Sequence, residues 1–179
     1  MTEPEPVQIA DCAGQIVNAL GHGGLLFNTK ANGRVNTMTI GWGAIGINWA
    51  KPVFTAYIRE GRFTRQLLDA NPEFTISVPD ENTSKKILGY CGSHSGRDGD
   101  KIQELGLTLV DAQKVSVPAI AEAPLTLECK VLYMQPQVIA DLAQAEQKWY
   151  PQDVPSTATG SNKDAHITVY GEIVAAYRL

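Results

Sequence analysis

Apolar and polar residues alternate along several short stretches of the chain, a pattern typical of half-buried β-strands. The clearest example runs from Phe74 to Val78, and Pro79 ends it because proline has no N–H to donate to a sheet. Similar patterns predict further strands at residues 25–29, 53–59, 127–133 and 166–178. In the strand at residues 53–59, the alternation places Phe54, Ala56 and Ile58 on one face.

A tight turn is predicted after the first of these strands, at Asn32 and Gly33. Both residues tolerate a positive φ angle, which two-residue β-hairpin turns require. The pair therefore predicts a hairpin whose second strand begins near Arg34.

Helical stretches are short. The pattern predicts a helix from Phe63 to Ala70, which the pair Asn71–Pro72 ends, because the residue before a proline is disfavoured in a helical conformation. A second helix is predicted after Thr83 or Ser84, which can cap its N-terminus. A third is predicted after Asp98 or Asp100, with Gly106 as its end.

The remaining assignments complete a mainly β chain. They are a loose N-terminal arm at residues 1–12, free or lying on a partner subunit, a helix at 138–147 and an exposed loop at 150–163. Strands and helices do not alternate regularly, which argues against a parallel doubly wound sheet. Neither the Rossmann nor the P-loop glycine pattern occurs. We therefore predict one domain over residues 1–179, an antiparallel β-barrel with peripheral α-helices.

Composition narrows the function classes. The chain has 179 residues, a hydrophobic fraction of 44% and a net charge of -4, which gives no electrostatic reason to expect nucleic acid or an anionic membrane as a partner. The acidic, proline-rich N-terminus lacks the pattern of a signal peptide, and no apolar stretch is long enough for a membrane span. We expect a cytoplasmic protein.

The cysteines and histidines predict neither disulfides nor a metal site. Cys12, Cys91 and Cys129 are few, odd in number and widely spaced, which fits reduced thiols. The three histidines are scattered, and none shares a strand or turn with a carboxylate at ligand spacing.

The candidate chemistry is concentrated in residues 34–65. Arg59, Arg62 and Arg65 surround a glycine and a threonine just after an apolar strand, and planar guanidinium groups offer paired donors to phosphate oxygens. The preceding polar strand offers amide, hydroxyl and thioether groups to the edge of a flat heteroaromatic ring. A ring at one end and a phosphate at the other describe a nucleotide-like cofactor. The alternative is a solvated arginine cluster beside an ordinary edge strand.

Five ordered segments resemble the flavin reductase-like family of FMN-binding split barrels, in particular its flavoredoxin-type branch. The segments are residues 36–43, 51–64, 73–79, 89–101 and 166–178. The resemblance extends from about Gly24 to Arg178 and implies a split β-barrel that binds FMN as a homodimer.

The resemblance also implies roles for individual residues. Arg59, Arg62 and Thr64 correspond to positions near the flavin phosphate, whereas Arg65 is expected to face water. His166 corresponds to a histidine close to the flavin and the nicotinamide site, and it is the one residue assigned to catalysis. The residues assigned to the ring-facing strand and to the loop on the flavin side are Asn36, Thr37, Met38, Thr39, Trp42, Cys91, Ser95, Gly96, Arg97 and Lys101.

Two of these assignments have equally concrete structural alternatives. Trp42 lies close to glycines and either covers the ring or fills a core or an interface. Cys91 is more simply a small buried apolar residue than a redox-active thiol.

The activity implied is hydride transfer from NADH or NADPH to a flavin, or electron exchange with a redox protein partner. Such chemistry belongs to the cofactor, so no acid–base dyad or nucleophile is required. Two alternatives remain open: an FMN-loaded electron carrier without its own NAD(P)H activity, and a related split barrel that binds another planar ligand such as pyridoxal phosphate or haem.

Overall fold

The computed structural model describes residues 4–150 and 164–179. Within them the strands are β1 (Glu5–Pro6), β2 (Leu25–Ala31), β3 (Arg34–Ile40), β4 (Gly43–Asn48), β5 (Lys51–Arg59), β6 (Glu73–Val78), β7 (Leu109–Val110), β8 (Ala119–Ile120), β9 (Leu125–Pro136) and β10 (His166–Arg178). The helices are α1 (Ile9–Gly21), α2 (Phe63–Ala70), α3 (Lys85–Ser93), α4 (Lys101–Leu105) and α5 (Gln144–Gln147). A 3-10 turn occupies Ile139–Asp141.

The main sheet has the strand order β3-β2-β6-β9-β10-β5-β4, and β1 adds to β10 at one end. Every strand pair in the described residues is antiparallel. β7 and β8 form a separate two-stranded sheet. The fold is therefore mainly β and antiparallel, with few helices, as the sequence predicts.

The strand β10 lies between β5 and β9 in the main sheet and carries His166 at its start. It pairs with β5 on one side, where His166 lies opposite Arg59, and with β9 on the other. Its ladder with β9 is shifted between Tyr170 and Gly171 and again between Ile173 and Ala175, and such bulges bend a strand. The start of β10 and the end of β5 thus meet at the same edge of the sheet.

The core lies between the sheet and helix α1. The three predicted apolar positions of β5, Phe54, Ala56 and Ile58, are fully buried. Phe27 and Phe74 stack in the same cluster with ring centroids 4.5 Å apart. A smaller cluster under α3 and α4 lies beside the cleft described below.

Two hairpins have turns with positive φ angles. Asn32 and Gly33 have φ angles of 51° and 75°, which confirms the predicted hairpin between β2 and β3. Trp49 and Ala50 connect β4 to β5 with φ angles of 50° and 57°. This second turn is absent from the predictions because neither residue is one that favours positive φ.

The helix signals are confirmed in the middle of the chain. Helix α2 has the predicted bounds. The side chain of Ser84 caps α3, and the carboxylate of Asp100 accepts hydrogen bonds from two backbone N–H groups at the start of α4. Gly106 follows α4 with a φ angle of 63°, the left-handed conformation that glycine permits.

The prediction of a loose N-terminal arm over residues 1–12 is wrong for residues 4–12, the part of it that the structure describes. Glu5 and Pro6 pair with Arg178 and Tyr177, and α1 begins at Ile9. The sequence pattern does not reveal this helix, because the apolar positions from Gly14 to Leu20 are too few to predict one. Its first turns contribute the buried Cys12 to the core.

The predicted helix over residues 138–147 is also wrong. The segment contains only the 3-10 turn and the four-residue α5, with the extended residue Leu142 after the turn. Tyr150 is buried, contrary to the exposed loop predicted from that residue onward. The rest of that loop, residues 151–163, lies outside the described residues.

Within residues 4–150 and 164–179, no helix is long and apolar enough to cross a membrane.

Candidate functional site

Two adjoining cavities lie where β3, the end of β5 and the start of α2 come together. The first, which we call the turn cavity, has a volume of about 200 Å³ and extends from Arg62 to the α3–α4 loop. The second, the aromatic cavity, has a volume of about 180 Å³ and lies between Trp42 and His166. Met38, Thr39 and Arg62 line both, so the two cavities form one cleft.

All but one of the residues assigned from the sequence line this cleft. Those in the turn cavity are Asn36, Met38, Thr39, Arg62, Thr64, Cys91, Ser95, Gly96, Arg97 and Lys101. Those in the aromatic cavity are Met38, Thr39, Trp42, Arg59, Arg62 and His166. The exception is Thr37, which is fully buried and outside the lining of both cavities. Thr37 lies on the opposite face of β3 from Asn36 and Met38, whereas Thr39, which shares the face of Thr37, reaches both cavities near the end of the strand.

Arg62 is the cation shared by the two cavities. It immediately precedes α2 with an extended backbone, at φ -72° and ψ 139°. Within the described residues, its guanidinium takes part in no hydrogen bond or salt bridge with the protein. A half-buried cation without a protein partner is suited to bind an anion from outside the chain.

Arg59 is held by the protein instead. One of its nitrogens donates to the backbone oxygen of Asp164 at 2.6 Å, and its guanidinium lies over the rings of Trp42 and Tyr150. Burial lowers the pKa of Arg59, and the charge of Asp164 offsets part of that effect. Arg59 therefore lines the cleft while its donors face the segment before β10.

Lys101 is a buried cation at the floor of the turn cavity. Its ammonium donates to the backbone oxygens of Cys91 and His94, at 3.2 and 3.1 Å, at the C-terminal end of α3. Helix C-termini carry partial negative charge, which favours a cation there. Burial nevertheless lowers the pKa of Lys101 to about 8, so the side chain remains mostly charged at neutral pH.

Arg97 braces the arginine turn from the opposite loop. It donates to the backbone oxygen of Gly61 at 2.8 Å, and its guanidinium lies 5.8 Å from the ring centroid of Phe63. Arg34 lies over the same ring at 4.8 Å and donates to the backbone oxygens of Gly96 and Gly99. The ring of Phe63 is thus in contact with two guanidinium groups. Through these contacts and their hydrogen bonds, Arg34 and Arg97 connect the α3–α4 loop to the arginine turn.

Gly96 allows close packing inside the protein. A Cβ atom on this residue would lie 2.1 Å from the Asn36 amide oxygen and 2.9 Å from the Phe63 ring. The amide nitrogen of Asn36 in turn donates to the hydroxyl of Thr64 at 2.8 Å. These contacts join β3, the arginine turn and the loop into one wall of the turn cavity.

Aromatic rings pack against one another beside the aromatic cavity, which Trp42 and His166 line. The Trp42 ring centroid lies 5.1 Å from that of His166 and 5.7 Å from that of Trp149. Nδ1 of His166 lies 2.9 Å from the hydroxyl of Tyr150, which is 3.0 Å from the Gln137 side chain. Trp42 keeps 41% of its surface exposed, so it walls the cavity and is not core filling.

Burial, together with the nearby charges of Arg59 and Arg62, lowers the pKa of His166 to about 4. The imidazole is therefore neutral at physiological pH. A neutral imidazole can form a hydrogen bond with a ligand without adding charge to the cavity.

Cys91 is 1% exposed, and burial raises its pKa. A protonated, buried thiol is not a nucleophile at neutral pH, which favours the apolar role over a redox role.

The matching family model, described as the flavin reductase like domain, covers residues 18–178. The chain belongs to this family. Among curated relatives, an uncharacterized protein of Archaeoglobus fulgidus is 33% identical over 97 residues, which are 54% of this chain and 54% of that protein. This flavin reductase-like chain is thus matched over about half the length of that relative.

Solved structures with the same fold carry flavin-related names. The FMN-binding domain of a flavin reductase-like enzyme from Shewanella baltica has a TM-score of 0.65 at 19% identity, covering 98% of this chain and 77% of that one. Flavoredoxin of Desulfovibrio vulgaris has a TM-score of 0.63 at 21% identity, covering 98% and 70%. At these identities the likeness shows the fold, the split barrel that the sequence resemblance predicts.

Several residues of the flavin reductase-like cleft were missed by sequence reasoning. Tyr57 and Phe63 line the cavities, Trp149 packs against Trp42, and Tyr150 packs against His166. Tyr57 is recoverable from alternation, since it points away from the buried face of β5. Trp149 and Tyr150 carry no such signal, because they reach the site only through the fold of the segment before residue 151. The expectation that Arg65 faces water is wrong: its side chain is only 19% exposed, and it pairs with Asp69 one helical turn later.

The lowered pKa of His166 predicts a pH dependence of stability in the protein without a ligand. Because the unfolded histidine has a pKa near 6.5 and the folded one near 4, the unfolded state takes up the extra proton in this window. The contribution of the neutral His166 to the free energy of unfolding is therefore fully present above pH 6.5, and it is lost as the pH falls towards 4. Between pH 7 and pH 4.5, we expect the free energy of unfolding to fall by about 2 kcal/mol less in His166→Asn than in the wild type. Urea unfolding at the two pH values measures this difference, and equal losses would contradict it.

Proposed function

We propose that this chain binds FMN in the cleft and transfers electrons from NADH or NADPH to a flavin or to a protein partner. The observation that carries the proposal is Arg62, a cation bordering both cavities and without a protein partner among the described residues. The proposal is also supported by the names of the fold neighbours, an FMN-binding domain and a flavoredoxin.

The residues of the cleft fit the two ends of FMN. Arg62 and Lys101 would hold the phosphate in the turn cavity, which has both charge and depth. The polar edge of β3, with Asn36 and Thr39, and the rings of the aromatic cavity suit a flat heteroaromatic ring. Each cavity alone is smaller than the roughly 300–1,000 Å³ usual for ligand sites, but the two together fall within that range.

A bound flavin supplies the hydride chemistry, so the protein has to hold and shield it. Trp42 and Tyr57 would limit water access from the aromatic cavity. His166 would offer a neutral hydrogen-bonding group near the reacting edge, and its environment keeps it uncharged at neutral pH. None of these roles requires a nucleophile or an acid–base pair.

The first test is the visible spectrum of the purified protein before and after anaerobic addition of NADH or NADPH. We expect a flavin spectrum that bleaches with at least one of the two. Bleaching by dithionite but by neither nucleotide would favour the electron carrier. A pyridoxal phosphate or haem spectrum would contradict FMN binding.

The second test separates phosphate binding from ring binding. We expect Arg62→Ala to weaken FMN binding by about ten- to a hundredfold, the scale of a lost charge-assisted hydrogen bond, and to leave riboflavin binding almost unchanged. Arg65→Ala is the matched control. It also removes an arginine from this segment, but Arg65 lines neither cavity and pairs with Asp69. Isothermal titration of the apo variants measures both. Equal losses for the two flavins would mean that Arg62 supports the fold and not the phosphate.

We also propose that the protein is a homodimer. An apolar patch supports this: Ile47 and Trp49 are 75% and 57% exposed at the β4–β5 turn, and Trp49 packs edge-on against Tyr170, which stacks on Tyr133. Exposed apolar patches of this kind mark interaction surfaces.

Light scattering at micromolar concentration should give twice the chain mass of 19.4 kDa. Ile47→Asp should shift the protein to the monomer, because a buried unpaired carboxylate is costly. The control is Val17→Asp, at a comparably exposed apolar position on α1. A monomeric wild type would contradict the proposal.

A further inference from the structure

The backbone of Gly61 is held from both sides, at its N–H and at its carbonyl. Its N–H donates to a carboxylate oxygen of Asp164 at 2.5 Å, and its carbonyl accepts from Arg97 at 2.8 Å. Asp164 lies just before β10, and Arg97 lies in the loop between α3 and α4. Two segments distant in sequence thus bind the two peptide groups that flank the Cα of Gly61, the residue immediately before Arg62.

Asp164 makes a second connection through its backbone. Its carbonyl oxygen accepts from Arg59 at 2.6 Å, and the next carbonyl, that of Ala165, accepts from the N–H of Glu60 at 2.9 Å. Residues 59, 60 and 61 are therefore each bound to residues 164–165. This extends the β5–β10 pairing beyond the last ladder pair and fixes the path of the arginine turn.

The burial of Asp164 indicates that this geometry has a specific role. The residue is only 6% exposed, and one of its carboxylate oxygens, Oδ1, has no hydrogen-bond partner in the described parts of the chain. A buried carboxylate is costly unless it is compensated by hydrogen bonds and opposite charge. Here the compensation comes from Gly61 and the neighbouring Arg59, two residues of the turn itself.

We propose that Asp164 is a positioning residue, which directs Arg62 into the cleft by binding the backbone N–H of Gly61. The inference rests on the proposed function in that the anion bound by Arg62 is the FMN phosphate. Arg97 completes the grip from the other side, so its part in anion binding is indirect, through Gly61. Asp164 and Arg97 act on the same target, and removing either leaves the turn held from one side only.

The measurement is the ratio of FMN to riboflavin affinity in apo protein that circular dichroism shows to be folded. We expect Asp164→Ala to lower the ratio about tenfold, because Arg62 is no longer held in position. Asp164→Asn keeps an oxygen acceptor for the Gly61 N–H and should stay within about threefold of the wild type. Glu60→Ala is the matched control: it removes a carboxylate from the same turn, but from an exposed residue.

A double-mutant cycle separates positioning from a general effect on folding. In an Arg62→Ala background, Asp164→Ala should not change the ratio further, since the group that it positions is gone. Arg97→Met should behave in the same way, and because Arg97 is exposed this variant should fold even if Asp164→Ala does not. An unchanged ratio in both single variants, or the same loss with and without Arg62, would overturn the inference.

Inorganic phosphate distinguishes failure of this inference from failure of the proposed function. If neither flavin binds but phosphate raises the melting temperature of the wild type and not that of Asp164→Ala or Arg62→Ala, FMN binding is wrong and the positioning role stands. If phosphate and both flavins leave the wild type unaffected, the turn is not an anion site and both proposals fall.

Discussion

The cleft depends on the antiparallel pairing between β10 and β5. This pairing sets His166 opposite Arg59 and carries the chain directly into the contacts between Asp164 and Gly61. The end of β5 and the start of β10 meet at the same edge of the sheet, so the arginine turn that follows β5 lies beside His166. A shift of one residue in this register would turn His166 to the opposite face and separate the aromatic cavity from the arginine turn.

Charge is distributed unevenly between structure and cleft. Arg59, Arg97 and Arg34 all direct donors to backbone carbonyl oxygens, so these cations fix loops and strand ends. Among the described residues Arg62 has no such protein partner. Lys101 donates to two carbonyls and also lines the turn cavity. A count of arginines in the sequence therefore overstates how many of them are available to an anion.

The sequence predicts the parts of this architecture that depend on local chemistry. The Asn32–Gly33 turn, the bounds of α2 and β10 and the cap by Asp100 all follow from a few adjacent residues. Nearly all of the residues that were assigned through the family resemblance line the cleft. What it could not supply is the orientation of side chains such as Arg97, because that depends on where Gly61 lies in space.

The errors have the same cause. The segment over residues 138–147 has helical composition, but it must connect the end of β9 to the wall of the aromatic cavity, and the fold breaks it into two short turns. By sequence Tyr150 belongs to a polar loop, yet it is buried and its ring packs against His166. In both cases tertiary contacts determine the structure, and the local sequence carries no signal that would predict it.

The central place of β10 has a consequence for how the molecule assembles. In the described sheet, β10 alone joins the block β3-β2-β6-β9 to the hairpin of β4 and β5, and ribosomes synthesise it after all of these strands. Until it emerges, β9 and β5 each present an unpaired edge, the kind of surface on which other chains can add strands. Folding then ends with a pairing between segments that are distant in sequence, which is slow and exposes intermediates to aggregation.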